Sequence, residues 1–446
     1  MSATPAAAAE SGLLRAIGLR ALAANGVNQM VGAAIFVVPA AVAATLGAAA
    51  VLAYLVCALA AGLVALCFAE AGSRVSVTGG TYMYVETAFG PFAGFLAGSL
   101  FWFGGQVVAN AGVAVVLVGS VGELLPWARA PLPRAALLIA LYAVLTLVNV
   151  RGVRGGARLV EGLTLAKLAP LVLLVVAAPL AFHPANLRWT GVPSLHGLGS
   201  ASILLVFAFL GIEGALTPSG EVRDPARTVP RAILLAFAGT TVLYIALQVA
   251  AQGVLGAGLA REQAAPLAAA AGLALGDWGR RIVLAGAAIS CLGYLGGDLL
   301  ASPRMLFAFA RDGFLPAPLA AVHPRYRTPA AAIVAHAALA CALAITGSFR
   351  ALALLSVVAT LFLYLACALA TLELRRRDVR AEGTPLRLPL GPVIPVLAVL
   401  VVVWLLASAS AAEFRAVGGF LAAAALLYLV RARRLRLREP VALPAD

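Results

Sequence analysis

Twelve long apolar runs follow one another along this chain, and its arginines cluster mainly in the short segments between them. A helix of about 20 apolar residues is long enough to cross the hydrocarbon core of a bilayer. The chain is 63% hydrophobic and 11% charged, far from the balance of a soluble domain. We therefore predict an all-α polytopic membrane protein with twelve transmembrane helices. The predicted helices are 19–46, 48–72, 91–122, 135–150, 157–182, 198–219, 229–254, 279–307, 329–347, 351–373, 392–409 and 413–431.

The arginines predict the direction in which these helices run. With a cytoplasmic N-terminus, 23 arginines fall on the cytoplasmic side and 8 on the outer side. Because cytoplasmic loops of membrane proteins are enriched in Lys and Arg, both termini are predicted to be cytoplasmic. The net charge of +14 is then a topology signal, and no nucleic-acid partner is expected. High Ala, Gly and Arg content suggests a bacterial source, so the predicted location is the bacterial inner (plasma) membrane.

The chain offers little that a catalytic or metal site would use. Its five cysteines lie inside apolar runs without metal-ligand spacing and are interpreted as packing thiols. They are Cys57, Cys67, Cys291, Cys341 and Cys367. Of the four histidines, three lie in loops or near helix ends, and none has a matching Cys or carboxylate spacing. We therefore predict that the protein is not an enzyme and has neither a cofactor nor a metal site.

Two of the predicted helices, the first and the sixth, contain a glycine-rich interruption. The first holds NGVNQMVGAAIFVVPAA at 25–41, and the sixth holds FAFLGIEGALTPSG at 207–220. Gly32 and Gly211 are 179 residues apart, as expected of two five-helix repeats followed by two extra helices. Interrupted helices at matching places in two halves point to a transporter binding site. For either interruption alone, the alternative is close packing of glycine-rich helices.

Several short blocks stand in a characteristic order along the chain. They are MVGAAIF at 30–36, GGTYMY at 79–84 followed by FG at 89–90, FAFLGIE at 207–213, EVRDP at 221–225, VPRAI at 229–233, SPR at 302–304 and ARDGFLP at 310–316. Each block is a weak signal alone. In this order and spacing, from about Leu14 to Pro316, the chain resembles the amino acid–polyamine–organocation (APC) superfamily of amino acid permeases.

The resemblance implies a LeuT-like fold. In that fold two inverted five-helix repeats form a transporter core, helices 1 and 6 are broken, and two C-terminal helices follow. The implied parts are a cytoplasmic tail at 1–18, a core at 19–373 with repeats at 19–182 and 198–373, two added helices at 392–431, and a cytoplasmic tail at 432–446.

An amino acid substrate, which the resemblance also implies, has an anionic and a cationic end. The second half of a broken helix offers free N–H groups, so the amides of Gly32, Ala33 and Ala34 are predicted to take the carboxylate. The first half ends in free carbonyls, which are predicted to take the ammonium group. Those carbonyls belong to Met30, Phe207, Ala208 and Leu210. The full set of predicted substrate-binding residues is Met30, Gly32, Ala33, Ala34, Ile35, Asn110, Phe207, Ala208, Leu210 and Asp298.

Three of these residues have interpretations that the sequence leaves open. The resemblance implies that Phe207 gates the substrate, whereas composition alone favours a lipid-facing or core aromatic. Asn110 resembles a substrate-contacting position of related antiporters, or it makes an interhelical hydrogen bond. Asp298 pairs with a cationic substrate, neutralises a buried base such as Lys167, or makes an Asn-like helix contact in its protonated form.

Two ionisable residues at membrane depth are predicted to couple transport. Lys167 is the only lysine among 32 basic residues; it could extend to the headgroups, but a buried Lys, unlike Arg, can give up its proton. By resemblance it takes the place of Na⁺ between helices 1, 5 and 8, near the carbonyls of Gly26 or Met30. Glu213 is predicted to be a proton-sensitive group, with a structural carboxyl as the alternative.

These features predict a secondary active transporter that moves amino acids by alternating access, independently of sodium and coupled to H⁺. The alternative is an exchanger of the same fold, with a cationic amino acid or amine among its possible substrates. A transport-inactive sensor or subunit is the remote alternative. The expected partners are the small-molecule substrate, H⁺ and the lipid bilayer, and the sequence predicts no oligomeric state.

Overall fold

The computed structural model of the protein describes residues 18–75, 81–151, 157–189, 191–215, 222–380, 384–388 and 390–436. For 157–165, 214–215, 225 and 432–436 it describes the backbone alone. The helices along these residues are α1 Leu19–Met30, α2 Val38–Leu46, α3 Val51–Arg74, α4 Thr81–Phe89, α5 Pro91–Leu100, α6 Ala109–Leu124, α7 Pro131–Arg151, α8 Ala157–Ala177, α9 Leu195–Phe209, α10 Ile212–Ala215, α11 Pro225–Leu255, α12 Pro266–Ala301, α13 Pro303–Arg311, α14 Ala330–Thr346, α15 Phe349–Arg376, α16 Val393–Ala407 and α17 Ala411–Arg436. Short 3₁₀ turns cover Ala34–Phe36, Gly47–Ala50, Pro126–Arg129, Ala178–Ala181, Pro184–Leu187, Gly256–Arg261 and Ala317–Ala320.

The helices confirm a polytopic membrane protein. Within the described residues, seven helical stretches are long and apolar enough to cross a bilayer. They are Val38–Arg74, Pro91–Leu124, Pro131–Arg151, Ala226–Arg261, Asp277–Arg311, Phe349–Arg376 and Ala411–Arg431. Further apolar helices are shorter: Ala166–Ala181, Leu195–Phe209, Pro266–Leu275, Ala330–Thr346 and Val393–Ala407. The twelve predicted segments are helical where the structure describes them, but not all of them reach spanning length as one helix.

The helical segments depart from the prediction where glycine or proline sets the backbone. Gly276 has φ +73 and kinks α12, so this helix begins at Pro266 rather than at the predicted 279. The helix α4, Thr81–Phe89, was not predicted. Gly90, with φ +89, ends it, and Pro91 starts the next helix in the position where its missing N–H costs nothing.

The two interruptions are real breaks in the helices, and they touch each other. The first helix stops at Met30, and helical structure resumes with the 3₁₀ turn at Ala34–Phe36. The sixth stops at Phe209, where Leu210 is extended and Gly211 has φ +111. A Cβ on Gly211 would lie 2.5 Å from the backbone oxygen of Gln29, so only glycine allows this contact. The rest of the predicted interruption, 216–220, lies outside the described residues.

A π-helix lies between α5 and α6, at Phe101–Val108. Its wider turns are uncommon and often accompany functional sites. The Ser356 hydroxyl of α15 donates a 2.7 Å hydrogen bond to the carbonyl of Gly104 inside this segment. A Cβ on Gly104 would lie 2.2 Å from the Cβ of Ala359, so glycine lets α15 approach the π segment closely. The segment faces the two breaks.

Arginine pairs hold the helix ends on the side that the sequence predicts to be cytoplasmic. Glu70 of α3 is fully buried and accepts hydrogen bonds from Arg74, at 2.9 Å, and from Arg375 of α15, at 2.5 Å. The amide of Leu388 also donates to Glu70, at 3.4 Å. This cluster joins α3, α15 and the segment that leads to α16.

Candidate binding site

The two breaks and the π segment enclose a cavity of about 520 Å³, including the space at its opening. Seven residues that the sequence predicted line it: Met30, Gly32, Ala33, Ala34, Phe207, Leu210 and Glu213. Seven others were not predicted: Gln29, Gly105, Gln106, Ala109, Val113, Gly211 and Tyr294. Five predicted residues do not belong to its wall: Ile35, Asn110, Lys167, Ala208 and Asp298. The cavity thus gathers most of the backbone groups predicted to bind substrate, and few of the polar side chains.

The first break turns free amides towards this cavity. The amide of Gly32 donates to the carbonyl of Met30 at 2.8 Å, whereas within the described residues the amides of Ala33 and Ala34 have no acceptor. A Cβ on Gly32 would meet nothing within 4 Å, so this side of the break borders open space. Two N–H groups beside an open cavity are suited to an anionic oxygen.

The carbonyls of the same break are already taken by side chains of other helices. The Tyr244 hydroxyl donates to the carbonyl of Met30 at 2.8 Å. The Ser290 hydroxyl lies 3.2 Å from the carbonyl oxygens of both Val31 and Gly32. The Met30 carbonyl, one of those predicted to hold an ammonium group, therefore has a donor from the protein itself.

Lys167 makes one of these contacts. Its Nζ donates to the carbonyl of Asn28 at 2.5 Å, and the residue is only 3% exposed. Asn28 lies between Gly26 and Met30, the two residues near which the sequence placed the contact. Within the described residues Lys167 has no carboxylate at ion-pair distance, so its charge is met by the unwound end of α1. It stands behind the cavity wall rather than in it.

The second break has the opposite arrangement. Its own Glu213, 3% exposed, accepts the amide of Gly211 at 3.0 Å and the Tyr364 hydroxyl of α15 at 2.7 Å. The amide of this break is therefore used internally. The carbonyls of Phe207 and Ala208, in the last turn of α9, receive no hydrogen bond from the described residues.

Phe207 lies where a ring would cover a bound molecule. Its side chain lines the cavity, is 7% exposed and meets Phe349 of α15 edge-on, with ring centroids 5.7 Å apart. Both interpretations of this residue, a gate and a core aromatic, are compatible with such packing.

Asn110 and Asp298 contact each other behind the wall. Asn110 Nδ2 donates to Asp298 Oδ2 at 2.7 Å, and the Tyr142 hydroxyl donates to Asn110 Oδ1 at 2.7 Å. His336 Nε2 lies 3.0 Å from Asp298 Oδ2, and the Ser302 hydroxyl bonds Asp298 Oδ1. Neither residue touches the cavity, and Asp298 is not paired with Lys167. Their contacts are interhelical hydrogen bonds.

Sequence reasoning missed the side chains that complete these contacts, such as Gln106, Tyr244, His336 and Tyr364. Each is a polar or aromatic residue inside an apolar run, which is a weak signal because such residues also occur in ordinary helix packing. Gln106 had the clearest signal, because it lies four residues before Asn110 and thus near the same helix face.

Comparison with known proteins assigns this arrangement to a group of transporters. The sequence model of a family described as "Amino acid permease" matches residues 17–430. An uncharacterized transporter of Mycobacterium tuberculosis is 37% identical over 340 residues, which cover 76% of this chain and 75% of the relative. The methylthioribose transporter of Bacillus subtilis is 26% identical over 442 residues, 95% of this chain and 94% of the relative. A branched-chain amino acid permease of Lactococcus lactis is 29% identical over 411 residues, 84% of this chain and 85% of the relative.

Proposed function

Because this chain belongs to the amino acid permease family, we propose that it is a secondary active transporter that moves an amino acid or a related amine across the bacterial inner membrane. The observation that carries the proposal is the polarity of the two breaks. The first presents the unpaired amides of Ala33 and Ala34, and the second presents the unpaired carbonyl of Phe207. A cavity with donors at one end and an acceptor at the other suits a zwitterion.

The proposed architecture is the twelve-helix, LeuT-like arrangement of 5+5 inverted repeats plus two C-terminal helices, with both termini cytoplasmic. The contact between Gly211 and Gln29 supports it, because it joins breaks at matching places in the two halves. Alternating access would then expose the cavity to each side in turn as one group of helices moves against the other.

In the proposed complex, the substrate carboxylate binds the amides of Ala33 and Ala34, and its ammonium group binds carbonyls at the end of α9. Gly32 keeps that end of the cavity open, since a side chain there would project into empty space. Phe207 would close over the substrate. Binding by backbone groups requires small neighbouring residues rather than reactive ones, which matches the alanines and glycines of this wall.

The proposed coupling is independent of sodium. Lys167 places a cationic group on the carbonyl of Asn28, at the unwound end of α1, and so supplies the charge that a sodium ion would otherwise bring. Release of its proton during the cycle would couple transport to H⁺. The alternative, an exchanger, is supported by the same 2.5 Å contact if Lys167 holds its proton throughout, because a permanent tether needs no co-transported ion.

Uptake by the purified protein in liposomes tests these proposals. For a proton-coupled transporter, radiolabelled amino acids accumulate when the outside is acidic, and replacing Na⁺ by K⁺ changes nothing. For an exchanger, uptake requires unlabelled substrate inside and ignores the pH gradient. A protein that binds amino acids but transports none under either condition would be a sensor or a subunit of a larger assembly.

A further inference from the structure

A buried hydrogen-bond network lies directly behind the cavity wall, and one of its members reaches the cavity. It joins the π segment, α6, α7, α12 and α14. The network consists of Trp102, Gln106, Asn110, Tyr142, Asp298, Ser302 and His336. Among them only Gln106 lines the cavity. What the network does to Gln106 therefore decides what a bound molecule meets there.

The direction of each hydrogen bond follows from what each group can donate. The indole of Trp102 can only donate, and its Nε1 lies 3.2 Å from His336 Nδ1. His336 Nδ1 must therefore accept, so in the neutral ring the proton is on Nε2. That nitrogen lies 3.0 Å from Asp298 Oδ2 and donates to it. The histidine is a neutral donor, and it is fully buried.

The remaining bonds converge on the same carboxyl group. Tyr142 donates to Asn110 Oδ1 at 2.7 Å, which leaves the Asn110 NH₂ to donate to Asp298 at 2.7 Å. Asp298 Oδ2 thus receives two protons from its neighbours, and Oδ1 faces the Ser302 hydroxyl. Hydrogen bonds to a carboxylate favour its ionised form, and three donors surround this one.

Ser302 is the branch point, because a hydroxyl has one proton and this one has two neighbours. Its oxygen bonds Asp298 Oδ1 and also lies 3.1 Å from Gln106 Oε1. If its proton goes to an ionised Asp298, the hydroxyl can only accept from Gln106. The two ends of an amide are almost equal in size, so hydrogen bonding decides which end faces Ser302.

We propose that this network sets the polarity of the cavity wall: Ser302 gives its proton to Asp298, Gln106 turns its NH₂ to Ser302, and its carbonyl oxygen faces the cavity. Gln106 is then a specificity-determining residue that selects substrates with a hydrogen-bond donor on the side chain. Asp298 and Ser302 are positioning residues that act through it. The inference rests on the proposed transport function and narrows its substrate class.

Binding to the purified full-length protein tests this, with three amino acids of similar size as probes. They are 2,3-diaminopropionate, a side-chain donor; 2-aminobutyrate, which is apolar; and aspartate, an acceptor. We expect the wild type to bind the donor at least about tenfold more tightly than the acceptor, the effect of one hydrogen bond gained or lost. Asp298→Asn offers Ser302 an NH₂, so Ser302 donates to Gln106 and the preference falls about tenfold. Ser302→Ala, which frees Gln106, brings the ratio towards one.

Two further variants separate this idea from its competitors. Gln106→Met keeps the size and removes the amide; if the preference for the donor survives, the charge of Asp298 acts directly and the proposal is wrong. Ser120→Ala removes a buried hydroxyl that bonds only its own helix, at Val116, and should change nothing. A wild type that prefers aspartate would also overturn the proposal, since Asp298 would then be protonated. Failure of all probes to bind the wild type would reject the proposed function itself.

Discussion

The two breaks that form the cavity are held in opposite ways. Three residues from other helices, Lys167, Tyr244 and Ser290, donate to carbonyls of the first break. The second is held by an acceptor of its own, Glu213, which takes the amide of Gly211. A break stabilised through its carbonyls keeps free amides, and one stabilised through its amide keeps free carbonyls. The supporting contacts, which never touch a ligand, thus determine which end of a zwitterion each break can bind.

The largest effect is expected where the breaks meet. Gly211→Ala would place a Cβ 2.5 Å from the Gln29 oxygen, at a φ of +111 that a side chain rarely adopts. The backbone strain alone costs on the order of 1–3 kcal/mol, and the clash adds to it. We expect a clear fall in the melting temperature of the purified protein and loss of uptake.

The matched control is Gly32→Ala, because a Cβ there meets nothing within 4 Å. This variant should melt near the wild type and bind amino acids more weakly, since the methyl group narrows the cavity beside the free amides. Equal stability of the two variants would contradict the close contact of the breaks.

A smaller effect is expected when the support of the first break is removed. Lys167→Ala leaves the Asn28 carbonyl without its donor, which costs about 1–3 kcal/mol for a buried polar group. We expect lower stability, and uptake that no longer responds to a pH gradient. Lys167→Arg keeps a charge that is effectively permanent, so it should fold yet behave as an exchanger. Unchanged, pH-dependent uptake in both variants would show that Lys167 has no part in coupling.

The smallest effect is expected in the support of the second break. Tyr364→Phe removes one hydrogen bond to Glu213 and costs about 1 kcal/mol. Glu213→Gln keeps the size but changes the charge. The double variant should lose less than the sum of the single losses, because both act on one contact. Additive losses, measured by thermal unfolding, would mean that the two side chains stabilise the break independently.

The sequence predicted the breaks well and their surroundings poorly. Gly211 and Glu213 could be found because glycine and a carboxyl group are rare and costly inside an apolar run. Lys167 stood out as the single lysine, and the neighbourhood of its partner was predicted to within two residues. Gln106, His336 and Tyr364 could not be found with confidence in the same way. Which face of a helix points to a cavity depends on helix rotation, and packing of neighbouring helices determines that rotation.

The π segment at Phe101–Val108 has a consequence for how this protein can change over generations. A π turn closes its hydrogen bond one residue later than an α turn. Deleting a single residue there would let the α pattern run through, and would turn everything on one side by about 100° relative to the other. Gln106 and Asn110 would then exchange their surroundings without any substitution. For this helix, the length of the chain is itself an inherited trait of the binding site.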